Sequence, residues 1–260
     1  MARTTIRTED VTAGAISGTD LAANSVGNTQ MADDAVGVDE LSATGTASAT
    51  TALFGDNAWK AVSDVSGFSR YHIPTAGTYT VPSSVTKIIV ECQGAGGSGG
   101  GAGTPAYASG GSGGGYAKKA LTVVAGDTMT VAIGTGGAEA SGGHNGTAGT
   151  VSSFTSLSGT SFTAVVGNGG GAGAYNGANA VGGTATGGDI NIQGMRGGND
   201  TGGQNRGGNS FMGMGAQAYG TQASANPSTG YGAGGHGGYA TTNAVGAAGR
   251  VGVVIITEYK

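Results

Sequence analysis

Apolar side chains fall along this chain in two unlike rhythms. From Ile6 to Leu41 they recur at every fifth residue, as Ile6, Val11, Ile16, Leu21, Val26, Met31, Val36 and Leu41. A step of five rotates about 140° around a helix with roughly 3.6 residues per turn, and in a strand it changes face. Neither element keeps the eight on one side, so local turns must reset the chain within each repeat. Taken in tens, residues 15–21, 25–31 and 35–41 each form a short extended piece, a Gly/Ser corner and a turn capped by Thr or Asp. Such repeats hold too few apolar residues to bury themselves within one chain. Association of identical chains around an axis buries all eight.

The second rhythm is β-like. Residues 86–93 and 249–259 are rich in β-branched side chains and predict strands, as do 119–124, 128–133 and 162–166, with a hairpin turn at Gly126-Asp127 between the middle two. Residues 94–250 hold 49 of the 58 glycines and only nine charged residues. Disorder ordinarily comes with high charge, which is missing, and a flexible linker needs no strand after it. Each internal glycine costs about 0.5–1 kcal/mol of backbone entropy relative to alanine. An ordered region this rich in glycine must therefore offset the cost with hydrogen bonding or packing that only glycine allows. The pattern predicts a sheet core that projects glycine segments.

Composition removes several classes. Collagen needs glycine at every third position and abundant proline, and this chain has 4 prolines and no such period. One cysteine cannot staple a secreted domain. A net charge of −4 with no basic patch predicts no nucleic-acid partner. The N-terminal segment lacks the apolar core of a secretory signal, and the longest aliphatic run, 253–256, is too short to span a bilayer. The expectation is a protein without membrane insertion that reaches any extracellular site by another route.

Residues 78–91, then Gly94-Ala95-Gly96-Gly97, then 113–119, and finally the strand that begins at Gly249-Arg250-Val251 resemble the glycine-rich domain of bacteriophage tail-fibre and adhesin proteins; the resemblance covers residues 71–260. It implies glycine segments similar to polyglycine II helices, packed side by side with lateral backbone hydrogen bonds. The paired glycines at 182/183, 187/188, 197/198, 202/203 and 207/208 share a step of five rather than three, which leaves repeated tight turns open for that portion. The five-step repeat resembles the N-terminal shaft and attachment repeats of phage fibres, which are typically trimers. Residues 53–62, with Gly55-Asp56-Asn57-Ala58-Trp59, are similar to the Gly-Asp-Gly-x-Trp junction of tail-fibre proteins, although Asn57-Ala58 replaces the usual residues. Trp59 reads as a packing anchor at that junction.

Candidate chemistry is sparse. Gly94-Ala95-Gly96-Gly97-Ser98-Gly99 matches G-x-G-x-x-G after a strand, but no helix start follows and no acidic residue appears until Asp127, so no dinucleotide cofactor is expected. Cys92 shares a strand face with Ile88 and Val90 and reads as a buried small apolar residue. His72, His144 and His236 have no metal-ligand spacing, and the Gly-Gly-x-Gly-x-Asp pattern of calcium nonapeptides is missing. Cofactors and metals are not expected. A polysaccharide-degrading enzyme would need paired carboxylates, and nothing in the spacing of Asp127, Glu139, Asp189 and Asp200 proposes a pair; the chain is expected not to be an enzyme. Binding chemistry fits better. Among glycines and amides stand Tyr175, Met195, Phe211, Met212, Met214, Tyr219, Tyr231 and Tyr239, where planar rings offer contact area at low rotamer cost. Some of these serve as packing pegs; the receptor-contact candidates are Tyr175, Phe211, Met212, Met214, Tyr219, Tyr231 and Tyr239.

The expected fold is mainly β. Residues 1–65 would form virion-attachment repeats and a trimeric shaft with the Trp59 junction, and residues 66–260 a β-sandwich-like head with polyglycine II-like or tight-turn glycine loops. The expected function is that of a homotrimeric tail-fibre or adhesin subunit of the virion tail, extracellular after host lysis. Its N-terminus would meet other tail or baseplate proteins, and its head would meet host surface polysaccharide or an outer-membrane protein. The alternative is a purely structural virion protein, such as a head fibre, baseplate connector or decoration, without receptor binding.

Overall fold

A computed structural model describes residues 12, 13, 17, 19, 44–48, 51–55, 57–61, 69–72, 75–103, 106–198, 205–217, 228–240 and 244–260. All eight apolar residues of the five-step repeat lie outside these. The chain divides into two compact units, Met1–Asp64 and Val65–Lys260. Strands are the only regular elements among the described residues, and every pairing between them is antiparallel.

In the first unit a hairpin joins β1 (Thr51–Leu53) to β2 (Trp59–Ala61), with Leu53 opposite Trp59. Its turn closes through Asn57 N–H donating to the Phe54 carbonyl at 2.9 Å, and Asn57 takes a left-handed φ of 58° that asparagine tolerates better than most residues. Outside the strands, Thr44 forms an isolated parallel bridge opposite Ala58 by exchanging bonds with Asn57 and Trp59. Gly45 is required beside it, because a Cβ there would stand 2.6 Å from the Trp59 carbonyl oxygen. Half-buried Trp59 thus belongs to a small hairpin built from the motif that contains it.

The second unit contains β3 (Ser69–His72), β4 (Gly77–Thr80), β5 (Lys87–Gln93), β6 (Ala106–Tyr107), β7 (Tyr116–Thr122), β8 (Thr128–Ala132), β9 (Ser152–Ser158), β10 (Val165–Gly167), β11 (Ala185–Thr186), β12 (Ile190–Ile192), β13 (Gly213–Met214), β14 (Thr229–Gly230), β15 (Tyr239–Ala240) and β16 (Val253–Tyr259). One five-stranded sheet has the order β12-β7-β5-β16-β3, and another has β11-β10-β9-β8-β4. Alternate side chains of both sheets meet in one apolar cluster. Ile88, Val90 and Cys92 of β5 and Val254 and Ile256 of β16 contribute from one side, and Met129, Val131, Phe154 and Val165 from the other. Burial pushes the Cys92 thiol up to about 12, so it remains protonated and packs as a small apolar group. The Gly126-Asp127 turn does not close a hairpin. β7 pairs with β5 and β12, whereas β8 pairs with β4 and β9, so the turn carries the chain from one sheet to the other.

Beyond the sheets the strands run straight on as glycine segments, which we call rods. β5 continues into 94–103, β8 into 134–140, β10 into 168–174 and β12 into 193–198, while 108–115, 143–150, 180–184 and 244–252 lead into β7, β9, β11 and β16. The rod 94–103 repeats every three residues. Gly94, Gly97 and Gly100 donate to the carbonyls of Gly115, Ser112 and Ser109; Ala95, Ser98 and Gly101 donate to Thr150, Thr147 and His144; Gly96, Gly99 and Ala102 donate to Arg250, Ala247 and Ala244. All nine bonds measure 2.8–3.1 Å. No residue of 94–103 or 108–115 has a positive φ. A chain that presents successive amides in three directions at negative φ is a left-handed, three-per-turn extended helix.

Three further rods donate to 94–103: Gly170 and Gly173 to the Ala95 and Ser98 carbonyls, Gly235 and Gly238 to Gly97 and Gly100, and Gly137 to Gly96. The rod therefore has six bonded neighbours, the coordination of a hexagonal array. Rod 108–115 likewise bonds six, donating to 231–238, 168–174 and 193–198 and accepting from 94–103, 180–184 and 205–209. The physical cause is the loss of side chains. Where the sheets carry side chains they pack about 10 Å apart, and where glycine removes them the layers close to the hydrogen-bonding spacing of about 4.8 Å. A Cβ on Gly99 would lie 1.8 Å from the His236 carbonyl oxygen, and on Gly96, 2.0 Å from that of Ala233. Glycine is demanded by the approach of backbone to backbone. The step-of-five glycine pairs divide accordingly: 182/183, 197/198 and 207/208 pack in rods, Gly187-Gly188 turns between β11 and β12 with Gly187 at φ +76°, and 202/203 lie outside the described residues.

Candidate functional site

The rods give this unit two distinct ends. Ser69 of β3 pairs with Tyr259 at the end of the sheets away from the rods, so the described chain of this unit begins and finishes there. At the opposite end lie the rod termini 103 and 108, 140 and 143, 174 and 180, 198 and 205, and 238 and 244. Their places are fixed by bonds such as Ala102 with Ala244, Gly143 to Gly101, Ser109 to Ala174, Gly110 to Gly198 and Ala108 to Gly238. This far end is the tip.

The seven receptor-contact candidates do not gather in one place. Tyr175 and Tyr239 stand at the tip. Phe211, Met212, Met214 and Tyr231 lie beside the sheets, and Tyr219 falls outside the described residues. The structure adds Tyr107 to the tip. It is the register partner of Tyr239 in the β6–β15 pair and is 41% exposed. Two residues further on, Ser109 binds Ala174 twice, through its own amide and through its hydroxyl, which accepts the Ala174 N–H at 2.8 Å. Tyr175 follows at once, 46% exposed, with its amide held by the Asn145 Oδ1 at 3.0 Å. Three tyrosine positions thus crown rod 108–115 and the two rods flanking it, 168–174 and 231–238. No acidic or basic residue occurs in 100–117, 174–188 or 237–249. Tyr107 had a legible signal, being a lone aromatic between two glycine runs.

The cluster beside the sheets is built differently. Phe211 stacks on Tyr116 with ring centroids 4.1 Å apart and an interplanar angle of 27°. Tyr116 is buried, and its hydroxyl donates to the Glu91 carboxylate. Burial first, and then that bond, hold the phenol above the ordinary tyrosine range. The Phe211 turn is pinned by the Ser210 hydroxyl donating to the Tyr231 carbonyl and by Tyr231 N–H donating to Met212, which brings Met212, Met214 and Tyr231 together at the antiparallel pair of β13 with β14. One face of Phe211 is therefore occupied by Tyr116, although 57% of the residue remains exposed.

Buried serines stand where the array leaves room. Ser98, Ser109 and Ser112 are fully buried, and each hydroxyl bonds to backbone: Ser98 accepts the Thr147 N–H at 2.7 Å, and Ser112 donates to the Val181 carbonyl. The three-residue step from Ser109 to Ser112 keeps both on one side of their rod, as with Ala95 and Ser98 on theirs. The serine side chains within the array thus serve packing.

No curated protein matches the chain. The family described as Glycine-rich domain matches residues 74–259, a span that takes in both sheets from β4 onward and every rod. On that match this chain belongs to the glycine-rich domain family.

Proposed function

We propose that this protein is a homotrimeric phage tail-fibre or adhesin subunit that attaches a virion to its host through the tip of the glycine-rich unit. In this reading residues 1–65 are the virion-attachment and shaft part, and the rest is a β-sandwich-like head extended by the rod array. The observation that carries it is the gathering of five rod connections at one end, opposite the end where the unit's described chain begins and finishes. An array held by backbone bonds in three directions fixes those connections without using side chains, which frees the tip residues to contact a ligand. Attachment needs no catalysis. Three tips per trimer and several trimers per particle raise weak contacts to firm adhesion through effective concentration.

The test uses fluorescently labelled full chain against a panel of bacterial envelopes. Saturable capture by at least one envelope is expected, lost when 175–179 is replaced by Gly-Ser linker and retained by Phe211→Ala. Capture that survives the tip replacement but fails with Phe211→Ala would move the contact surface to the sheet end.

A further inference from the structure

We infer that Asn176, at the tip, is a site of spontaneous deamidation, a covalent modification that the rod array directs to this position by protecting the other two candidates. Asparagine followed by glycine is the reactive step, because glycine has no side chain to keep its own amide nitrogen away from the asparagine carboxamide. The chain has three such steps, Asn145-Gly146, Asn168-Gly169 and Asn176-Gly177. In the reaction the Gly177 nitrogen, on losing its proton, attacks Asn176 Cγ. A C–N bond forms, the Cγ–Nδ2 bond breaks, and the side-chain nitrogen leaves as ammonia with that proton. Water then opens the cyclic imide at either carbonyl and leaves aspartate or isoaspartate at position 176.

Ring closure needs the asparagine ψ to rotate, and the bonds on either side of that torsion decide how freely it does. Asn168 lies inside a rod. Its N–H donates to the Thr184 carbonyl and its own carbonyl accepts from Gly115, both at 2.9 Å, while its Nδ2 donates to the Thr184 hydroxyl at 3.0 Å. The Cβ position of Gly169 lies 2.0 Å from the Gly149 carbonyl oxygen, so the backbone there has no room to turn. At Asn145 both reacting groups are held: the side-chain Oδ1 accepts the Tyr175 N–H at 3.0 Å, and the Gly146 amide donates to Gly173 at 2.8 Å. Asn176 differs on each count. It stands between the rods that end at 174 and begin at 180, it is exposed, and its side chain has no hydrogen-bond partner among the described residues. The Gly177 amide makes a turn bond to the Ala174 carbonyl at 3.3 Å, and Gly177 is buried below the turn, so the reaction passes through its opened form. Opening one turn is a local event, whereas freeing Gly146 or Gly169 takes neighbouring rods apart. The product sets a carboxylate beside Tyr175, and isoaspartate also lengthens the turn backbone by a methylene. The reaction requires the array and is independent of whether the tip binds a cell.

Peptide mapping by mass spectrometry tests this on the full chain, incubated in warm, mildly alkaline buffer beside a sample unfolded in urea. In the folded chain, acid at position 176 is expected to accumulate at least about tenfold faster than at 145 or 168. In urea the three steps should convert at similar rates, since each has the same glycine behind it. Asn176→Gln should remove the tip product and leave the other two peptides as they were. Conversion at 176 no faster than at 145 or 168 in the folded chain overturns the proposal. So does a lead for 176 that persists undiminished in urea, which would assign the ranking to local sequence rather than to the array.

Discussion

Glycine in this protein is a steric residue. The usual argument for glycine is a left-handed φ, yet Gly96, Gly99, Gly110 and Gly113 have none; each lies against a carbonyl that a methyl group would overlap at 1.8–2.1 Å. At Gly103, which ends the rod that holds Gly96 and Gly99, a methyl group would find its nearest neighbour 3.7 Å away. Gly99→Ala should therefore destabilise by about 1–3 kcal/mol or more, as overpacking does, while Gly103→Ala should be close to neutral. Urea unfolding of the two variants beside the parent checks both, and equal costs would contradict the close approach. The buried serines make the complementary case. Ser98→Ala removes the acceptor for Thr147 N–H and should cost about 1–3 kcal/mol, the usual penalty for orphaning a buried donor.

At the scale of elements, the turn between the two sheets carries a titratable group. The Asp127 carboxylate accepts bonds from Thr160 and from the Val124 amide at 3.0 Å, and these hold its pKa below the ordinary carboxylate value. Gly159 is needed opposite it, both for its φ of +87° and because a Cβ would meet the Asp127 Oδ1 at 1.9 Å. The folded-state pKa is the lower one, so the carboxylate stabilises the fold at pH above its unfolded value of about 3.9, and that contribution is lost as pH falls through the folded value. Asp127→Asn should accordingly flatten the acid side of a plot of unfolding midpoint against pH while lowering stability near neutrality. An unchanged acid limb would remove Asp127 from that role.

The same elements show how far the sequence could be followed. β5 and β16 were legible because β-branched residues line the inward face of β5, at Ile88 and Val90, and both faces of β16. β9 was not, because its inward positions are Ser152, Phe154 and Ser156, with a single apolar residue among them. The Gly126-Asp127 turn was legible as a turn, but nothing local reveals that its flanking strands join different sheets. The three-residue period of the rods is hidden for a related reason. It lives in which amide meets which carbonyl, and glycine leaves no side chain to mark the register. Ala95, Ser98, Ser109 and Ser112 are its sparse trace in the sequence. The tip was half visible, through Tyr175 and Tyr239, whereas its link to Tyr107 depends on a pairing between segments more than a hundred residues apart.

In the second unit backbone bonding in three directions supplies rigidity, and contact through its tip is the function proposed. If the five-step repeat of residues 1–65 brings three chains together, light scattering should give about three times the 24.6 kDa of one chain, and a folded monomer would remove the shaft from the account. The central claim, however, is the rod array, and amide hydrogen exchange tests it most directly. Every amide from Gly94 to Ala102 and from Ala108 to Gly115 donates to a carbonyl of another rod, so all of them should exchange as slowly as the central strands β5 and β16, through global unfolding. Exchange of these glycine amides at the rate of an unstructured peptide, while β5 and β16 stay protected, would contradict the array and the rigid tip with it.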